Sequence, residues 1–381
     1  MNTDRTKIES ETIDWLRPVM AFMVICLHAQ LFYIDEQWSM NGGVFNVFVI
    51  YLCKVICPVA VPTFFFISGY LFYKGLQKWD YGIWKSKMVK RIKTLLVPFV
   101  IWNLIALIAF PLTRYAGSLM KGLPMDNLIE VIRDRGFLRL FWDRTLFDGN
   151  SHSYINILGW IIPNGQPMDT PMWFVRDLMV VVLFTPAIHW LIKKTGKVFI
   201  AVLAVLFLVD IWFPVSGFSI KATFFFTWGA LFSIKGNNFT EYFQKVRIPS
   251  AVLFWMGLIL IPILWDKDRF LFNLAVRFFI IIELVFFFNL VSSLIEKQKI
   301  RVKAQFKNSS FFVYCSHMVI IASAVMWLVM LPQQQTGIIK TLLFITGTVI
   351  IFLICHFMYM FLERYCPSIA AVLTGGRNNK K

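Results

Sequence analysis

Long hydrophobic stretches separated by short polar ones run along almost the whole chain. A bilayer core about 30 Å thick is spanned by about 20 helical residues. The pattern therefore predicts an all-α, polytopic membrane protein with about ten transmembrane helices. Pro58 and Pro62 are expected to kink or break the second stretch, which is too long for one straight span. The ten predicted spans are roughly 15–34, 44–73, 94–112, 172–192, 198–213, 219–234, 248–265, 271–295, 311–331 and 338–362.

Basic residues between the hydrophobic stretches indicate how the spans are oriented. The loops after spans 2, 4, 6 and 8 carry 18 lysines and arginines, whereas the 59-residue loop 113–171 carries six. Short cytoplasmic loops are enriched in lysine and arginine. We therefore predict that both termini are cytoplasmic. On this topology Arg17 lies near the cytoplasmic face and His28 near the middle of the membrane.

Two segments are predicted to lie outside the spans of a transmembrane domain covering residues 1–365. The loop 113–171, within that domain, is long enough to be functional, and its aromatic residues favour a cap over the outer mouth. Residues 366–381 are interpreted as a basic cytoplasmic tail. The polar N-terminus precedes an apolar stretch without a small-residue cleavage site, which favours a retained first span.

Composition narrows the functional class. Hydrophobic residues make up 58% of the chain and charged residues 15%, well below the fraction of a soluble domain. The net charge of +17 comes mainly from the loop residues, so we expect no nucleic-acid partner. The six cysteines lie in or beside hydrophobic stretches and lack metal-ligand spacing. We therefore expect neither a disulfide framework nor a metal site.

The first span carries the most notable polar pair. Arg17 and His28 are eleven residues apart, which places them within about 20° around a helix and about 16 Å apart along it. Ionisable groups inside a membrane are energetically costly and mark functional sites. His28 is a candidate general base or nucleophile; a structural interhelical hydrogen bond is the alternative. Arg17 is a candidate anion ligand, or else an interfacial anchor paired with Asp14.

Further candidates lie at the entries to spans 3, 4 and 9. Lysines and arginines including Lys90 and Arg91 precede span 3, where they serve as topogenic charges or as a pocket for a phosphate-rich cofactor. Span 9 begins SFFVYCSHMVI, whose tyrosine and histidine share a face. This face is either a structural polar network or part of a donor site. The residues concerned in span 9 are Tyr314 and His317.

Three further candidate residues lie in spans 4 and 8. Trp173 and Arg176 enter span 4 from the outer side in PMWFVRDL. Because adjacent helical residues do not face each other, Arg176 and Asp177 are expected to have separate partners. Glu283 in span 8 is a candidate proton acceptor or a partner for a cation on another span.

These motifs, in this order, resemble the acyltransferase 3 family of integral-membrane acyltransferases. The arginine and histidine eleven apart resemble its first-span motif, and PTFFFISGYLF (62–72) resembles its P-x-FF-x-x-SG-F/Y-L signature. MVKRIKTLLVPFVIW places Arg91 at the usual arginine of the third span. PMWFVRDL, FFFTWGALF (224–232) and SFFVYCSHMVI resemble later elements.

The resemblance implies transfer of an acyl group, commonly acetyl from acetyl-CoA, to a hydroxyl of a surface glycan or lipid-linked glycan. His28 would be catalytic, with Arg17 beside it, and Arg17, Arg91, Lys90, Tyr314 and His317 would hold the acyl-CoA. Trp173, Arg176 and Glu283 would contact the acceptor. The expected location is a bacterial cytoplasmic (inner) membrane. Direct transfer and transfer through an acyl-enzyme intermediate fit the sequence equally well. One rival is a transporter that exports a glycan or a lipid-linked intermediate, and another is a catalytically inactive scaffold for polysaccharide synthesis. The oligomeric state is left open.

Overall fold

A computed structural model describes residues 2–30, 38–76, 78–121, 154–157, 160–163, 166–213, 215, 217–301, 303–328 and 336–376. Within the first part the α-helices are Asn2–Ala29 (α1), Val44–Val49 (α2), Ala60–Tyr73 (α3), Tyr81–Arg91 (α4) and Val97–Lys121 (α5). Two short strands follow, Tyr154–Ile157 (β1) and Trp160–Pro163 (β2). The later helices are Trp173–Leu183 (α6), Thr185–Thr195 (α7), Lys197–Val209 (α8), Ile220–Lys235 (α9), Phe239–Gln244 (α10), Arg247–Leu260 (α11), Arg269–Glu296 (α12), Ala304–Leu328 (α13), Gly337–Tyr365 (α14) and Pro367–Thr374 (α15).

Polar side chains begin several of these helices. A helix leaves its first backbone N–H groups without intrahelical partners, and an Asp, Asn or Ser oxygen at the preceding position satisfies them. The capping residues with such bonds are Asp80 before α4, Ser219 before α9, Asn238 before α10 and Asp268 before α12.

The apolar helices confirm a multi-pass membrane protein. Among the described residues, six helical stretches are long and apolar enough to cross a bilayer: Thr6–Ala29, Val44–Tyr73, Tyr81–Ala109, Arg247–Leu264, Arg269–Glu296 and Gly337–Tyr365. A seventh is added if the pair around Phe184 counts as one span. The other predicted spans fall on α8, α9 and α13, so ten spans and the orientation of the termini stay predictions.

The second and fourth predicted spans are irregular. The second changes winding from α2 through a π-helical turn, Ile50–Ile56, and a 3-10 turn, Cys57–Val59, before α3 begins. This change coincides with Pro58, whose ring cannot continue the hydrogen-bond ladder. The fourth is bent by 64° between Thr170–Leu183 and Thr185–Thr195. The hydrophobic pattern of the sequence does not predict this bend.

The structure corrects two predictions, the start of the first helix and the all-α fold class. Helix α1 begins at Asn2, well before the expected start at residue 15, so Arg17 lies in the middle of the described helix and His28 in its last turn. The predominantly helical class is confirmed, but β1 and β2 form one antiparallel hairpin inside the long loop. The part of the predicted aromatic cap at residues 122–153 lies outside the described residues.

Helices α3 and α9 form the closest packing in the bundle. A Cβ added to Gly69 would meet the backbone oxygen of Phe226 at 1.9 Å, and one added to Gly229 would meet that of Phe66 at 2.0 Å. The two backbones therefore touch through reciprocal glycines. The family-like SG of α3 and the glycine of FFFTWGALF thus have a packing role.

We expect Gly69→Ala to destabilise the fold by at least about 1–3 kcal/mol, because a methyl group at this contact forces the two backbones apart. Thermal unfolding of the detergent-solubilised protein measures the loss. Gly347→Ala is the matched control, since its added Cβ meets nothing within 4 Å. Equal melting temperatures for the two variants would contradict the close contact.

The C-terminal helix α15 is packed against the bundle. The indole nitrogen of Trp102 in α5 donates to the carbonyl oxygen of Leu373 at 3.0 Å. Gly375 ends the helix with φ +69°, and a Cβ there would meet the Cα of Thr94 at 2.5 Å. The segment predicted as a tail therefore contains a helix that contributes to the site described next.

Candidate active site

A cavity of about 610 Å³ opens between α1, α3, α4, α6, α13 and the end of α15. Five basic side chains from three helices line it, and no carboxylate lies among its described lining residues. Such a concentration of cations in one concave site is suited to a ligand with several negative charges. The basic residues are Arg17, Lys87, Lys90, Arg91 and Lys307.

Asp14 partly neutralises two of these cations. Its carboxylate lies 3.5 Å from Arg17 Nη1 and 2.5 Å from Lys307 Nζ. The pair with Asp14 that belonged to the anchor interpretation of Arg17 is thus present, and Lys307 joins it from another helix. One carboxylate against five cations leaves the cavity with a large positive excess.

The other end of the cavity is aromatic. The rings of Phe64, Phe174 and Tyr314 lie with their centroids 5.6–5.7 Å apart. Tyr314 is seven residues beyond Lys307, about 10 Å along α13. The hydroxyl of Tyr314 donates to the carbonyl oxygen of Pro171. Its hydroxyl is therefore engaged in holding the start of α6 against α13, while its ring closes the inner wall.

Helices α1 and α13 pack side by side in the same direction. At one end Asp14 pairs with Lys307, and at the other the rings of His28 and His317 have centroids 5.2 Å apart. The ring of His317 is also 6.2 Å from that of Tyr314. The two histidines therefore lie just beyond the aromatic wall of the basic cavity.

The hydrogen bonds of His317 identify its tautomer. Nδ1 lies 2.8 Å from the carbonyl oxygen of Tyr314 and 3.2 Å from that of Val313. Carbonyl oxygens only accept, so Nδ1 carries the hydrogen, and in the neutral ring Nε2 keeps its lone pair. Nε2 is buried and has no hydrogen-bond partner among the described residues.

The residues predicted to bind the acceptor, Trp173, Arg176 and Glu283, are not among the residues that line the cavity. Arg176 and Asp177 are both buried and pair with each other at 3.2 Å, so the prediction of separate partners was wrong. The long arginine side chain folds back over its neighbour, which avoids leaving either charge alone in a buried setting. Trp173 instead lies under Lys221, whose Nζ is 5.7 Å from the ring centroid.

Glu283 is completely buried in α12, and neither carboxylate oxygen has a hydrogen-bond partner among the described residues. Arg277, six residues earlier on the same helix, does not pair with Glu283. That guanidinium instead bonds to the carboxylate of Asp210 and to the carbonyl oxygen of Leu208 at 3.3 Å. The cation predicted as a possible partner of Glu283 is absent from its described surroundings.

Comparison with known proteins decides the family. The family model described as an acyltransferase domain, acyltransferase 3, matches residues 10–359. The chain belongs to the acyltransferase 3 family. It is 24% identical over 388 residues to the succinoglycan biosynthesis protein ExoH of Rhizobium meliloti (strain 1021), covering 98% of this chain and 94% of that protein. No solved structure matches.

In this acyltransferase 3 protein, the predicted donor residues are only partly brought together. Arg17, Lys90, Arg91 and Tyr314 all line the basic cavity, whereas His317 lies against His28. None of the predicted acceptor residues lines that cavity. Sequence reasoning did not single out Lys307, or Thr374 and Gly376 at the end of α15, because their positions depend on how distant helices pack.

Asp169 is a further buried acid next to the site that was not predicted. It lies in the turn before α6, its backbone N–H donates to Asn103 Oδ1 at 3.0 Å, and its carboxylate oxygens have no hydrogen-bond partner among the described residues. Burial raises the pKa of this carboxyl well above its usual range. Loop acids of this kind give no periodic signal in the sequence.

We expect Asp169→Asn to be increasingly stabilising, relative to the parent protein, as the pH rises. A raised folded-state pKa means that the folded protein loses stability as pH rises above the ordinary value of about 4, because the buried carboxyl resists ionisation. Asparagine carries no such penalty. The melting temperature of the variant minus that of the parent protein should be larger at pH 8 than at pH 5 by a few degrees. A gap of the opposite sign would indicate a paired carboxylate.

Proposed function

We propose that the chain is an O-acyltransferase of a bacterial inner membrane that uses cytoplasmic acyl-CoA, with acetyl as the expected acyl group. The observation that carries the proposal is the cavity lined by five cations and no carboxylate among its described residues. Coenzyme A carries several phosphate charges, and arginine in particular binds phosphate through paired N–H donors. Membership of the acyltransferase 3 family supports the same reaction class.

The proposed acceptor is a hydroxyl of a surface glycan or of a lipid-linked glycan precursor. The similarity to a succinoglycan biosynthesis protein supports a glycan acceptor. Under the predicted topology, the basic cavity opens to the cytoplasm and the acceptor arrives from the outer side. The two substrates then meet at the histidine pair beyond Tyr314.

The proposed chemistry uses His28 as the base. The acceptor hydroxyl gives its proton to His28 while its oxygen forms a bond to the thioester carbonyl carbon. The carbon–sulfur bond of the tetrahedral species then breaks, and the proton passes from His28 to the departing sulfur, giving the ester and free CoA. General-base assistance of this kind contributes about 10²–10⁴-fold to a rate.

A genetic experiment tests the glycan part of this proposal. Surface glycans are analysed by mass spectrometry from the parent strain, a deletion strain and a strain carrying His28→Ala. The proposal predicts that both mutant strains export the glycan without its acyl group. An exporter would instead leave the glycan unexported in the deletion strain. A scaffold role would leave acylation and export normal with His28→Ala.

A further inference from the structure

The imidazole ring of His317 lies next to that of His28. The two rings lie 5.2 Å apart, centroid to centroid. A hydrogen bond between two ring nitrogens of about 2.9 Å, together with two ring radii of about 1.1 Å, adds up to a similar separation. A direct contact between imidazole nitrogens therefore needs only a change of ring orientation.

The backbone of α13 prepares His317 for that contact. Because two carbonyl oxygens accept from Nδ1, the ring is held in the tautomer that presents a lone pair at Nε2. Nε2 is buried, and no described residue bonds to it. A buried acceptor is stabilised by a hydrogen bond from a donor, and the ring of His28 is the neighbouring imidazole that can supply one.

We propose that His317 is the positioning residue of His28: its Nε2 accepts the N–H of His28 and leaves the other ring nitrogen of His28 as the base. The inference rests on the proposed function and assigns to a second imidazole the task that a carboxylate performs in a Ser-His-Asp triad.

The proton balance is simple. When the acceptor hydroxyl protonates His28, the imidazolium keeps its second N–H, which donates to Nε2 of His317. The positive charge is thereby stabilised without any net transfer to His317. When the thioester sulfur departs, His28 returns the substrate proton to it. His317 ends each turnover in the tautomer in which it began.

The test uses the full-length protein with His317→Asn, whose amide N–H can replace Nδ1–H toward the Tyr314 carbonyl but which lacks the Nε2 acceptor. His356→Asn is the matched control, since His356 is a buried histidine bonded to Ser309 at 2.8 Å and lies outside the cavity lining. We expect kcat to fall about 10–100-fold in His317→Asn with the Kd for acetyl-CoA unchanged, and neither value to change materially in the control.

A pH profile separates positioning from a structural role. Removing a partner that stabilises the imidazolium should move the acid limb of the kcat profile to lower pH by about 0.5–1 unit. A fall in kcat without movement of that limb, an unchanged kcat, or an effect on the donor Kd alone would each overturn the inference. If the asparagine variant does not fold, His317→Gln is measured against the same criteria. Wild-type protein that transfers no acyl group would refute the proposed function instead.

Discussion

Replacing His28 with alanine is expected to lower kcat for acyl transfer by about a thousandfold, the middle of the range for loss of a general base. The Kd for acyl-CoA should stay near the wild-type value, because the five cations of the cavity are untouched by this change. Release of free CoA by the purified protein measures kcat, and calorimetric titration measures Kd.

His356→Ala is the control for this variant. It removes a buried imidazole that stacks on Phe306, with centroids 4.4 Å apart, outside the cavity lining. Its kcat per folded molecule should stay close to that of the wild type. A His28→Ala protein that transfers acyl groups at the wild-type rate would rule out both direct base catalysis and an acyl group carried on His28.

Replacing Arg91 with alanine should raise the Kd for acyl-CoA about 10–100-fold, as expected for loss of a hydrogen bond to a charged group worth about 1.5–3 kcal/mol. Arg91 is partly buried in the cavity wall, with its guanidinium carbon 5.7 Å from the ring of Phe72. A phosphate bound there is shielded from water, which strengthens the interaction. At saturating donor, kcat should change little.

Lys85→Ala provides the matched control on the same helix. Lys85 is exposed on α4 and does not line the cavity. Its removal subtracts the same charge from the same region, so a general electrostatic effect would weaken donor binding equally in both variants. Equal Kd values for Arg91→Ala and Lys85→Ala would contradict a specific phosphate site.

Part of the basic cavity and its surroundings could be predicted from the sequence. Arg17 and His28 share one helix, and helical periodicity relates residues within one helix without knowledge of the fold. Lys90 and Arg91 are adjacent in sequence, so they lie close together however α4 packs. The ordered motifs also indicated the family before any comparison.

The remaining features depend on tertiary packing. Lys307 reaches Asp14, and His317 reaches His28, only because α13 runs parallel to α1 in this register. The docking of α15 rests on Trp102 and Gly375, far apart in the chain. The Arg176–Asp177 pair shows that a long, flexible side chain in a buried setting overrides the helical rule for adjacent residues.

Acyl transfer by this chain is tested most directly by an assay in proteoliposomes that contain only the purified wild-type protein. Acetyl-CoA labelled in the acetyl group is supplied with candidate glycan acceptors, and free CoA and labelled glycan are measured together. We expect the two products to appear in equal amounts and neither to appear with His28→Ala. Solute movement across the vesicle membrane without thioester consumption would contradict this expectation.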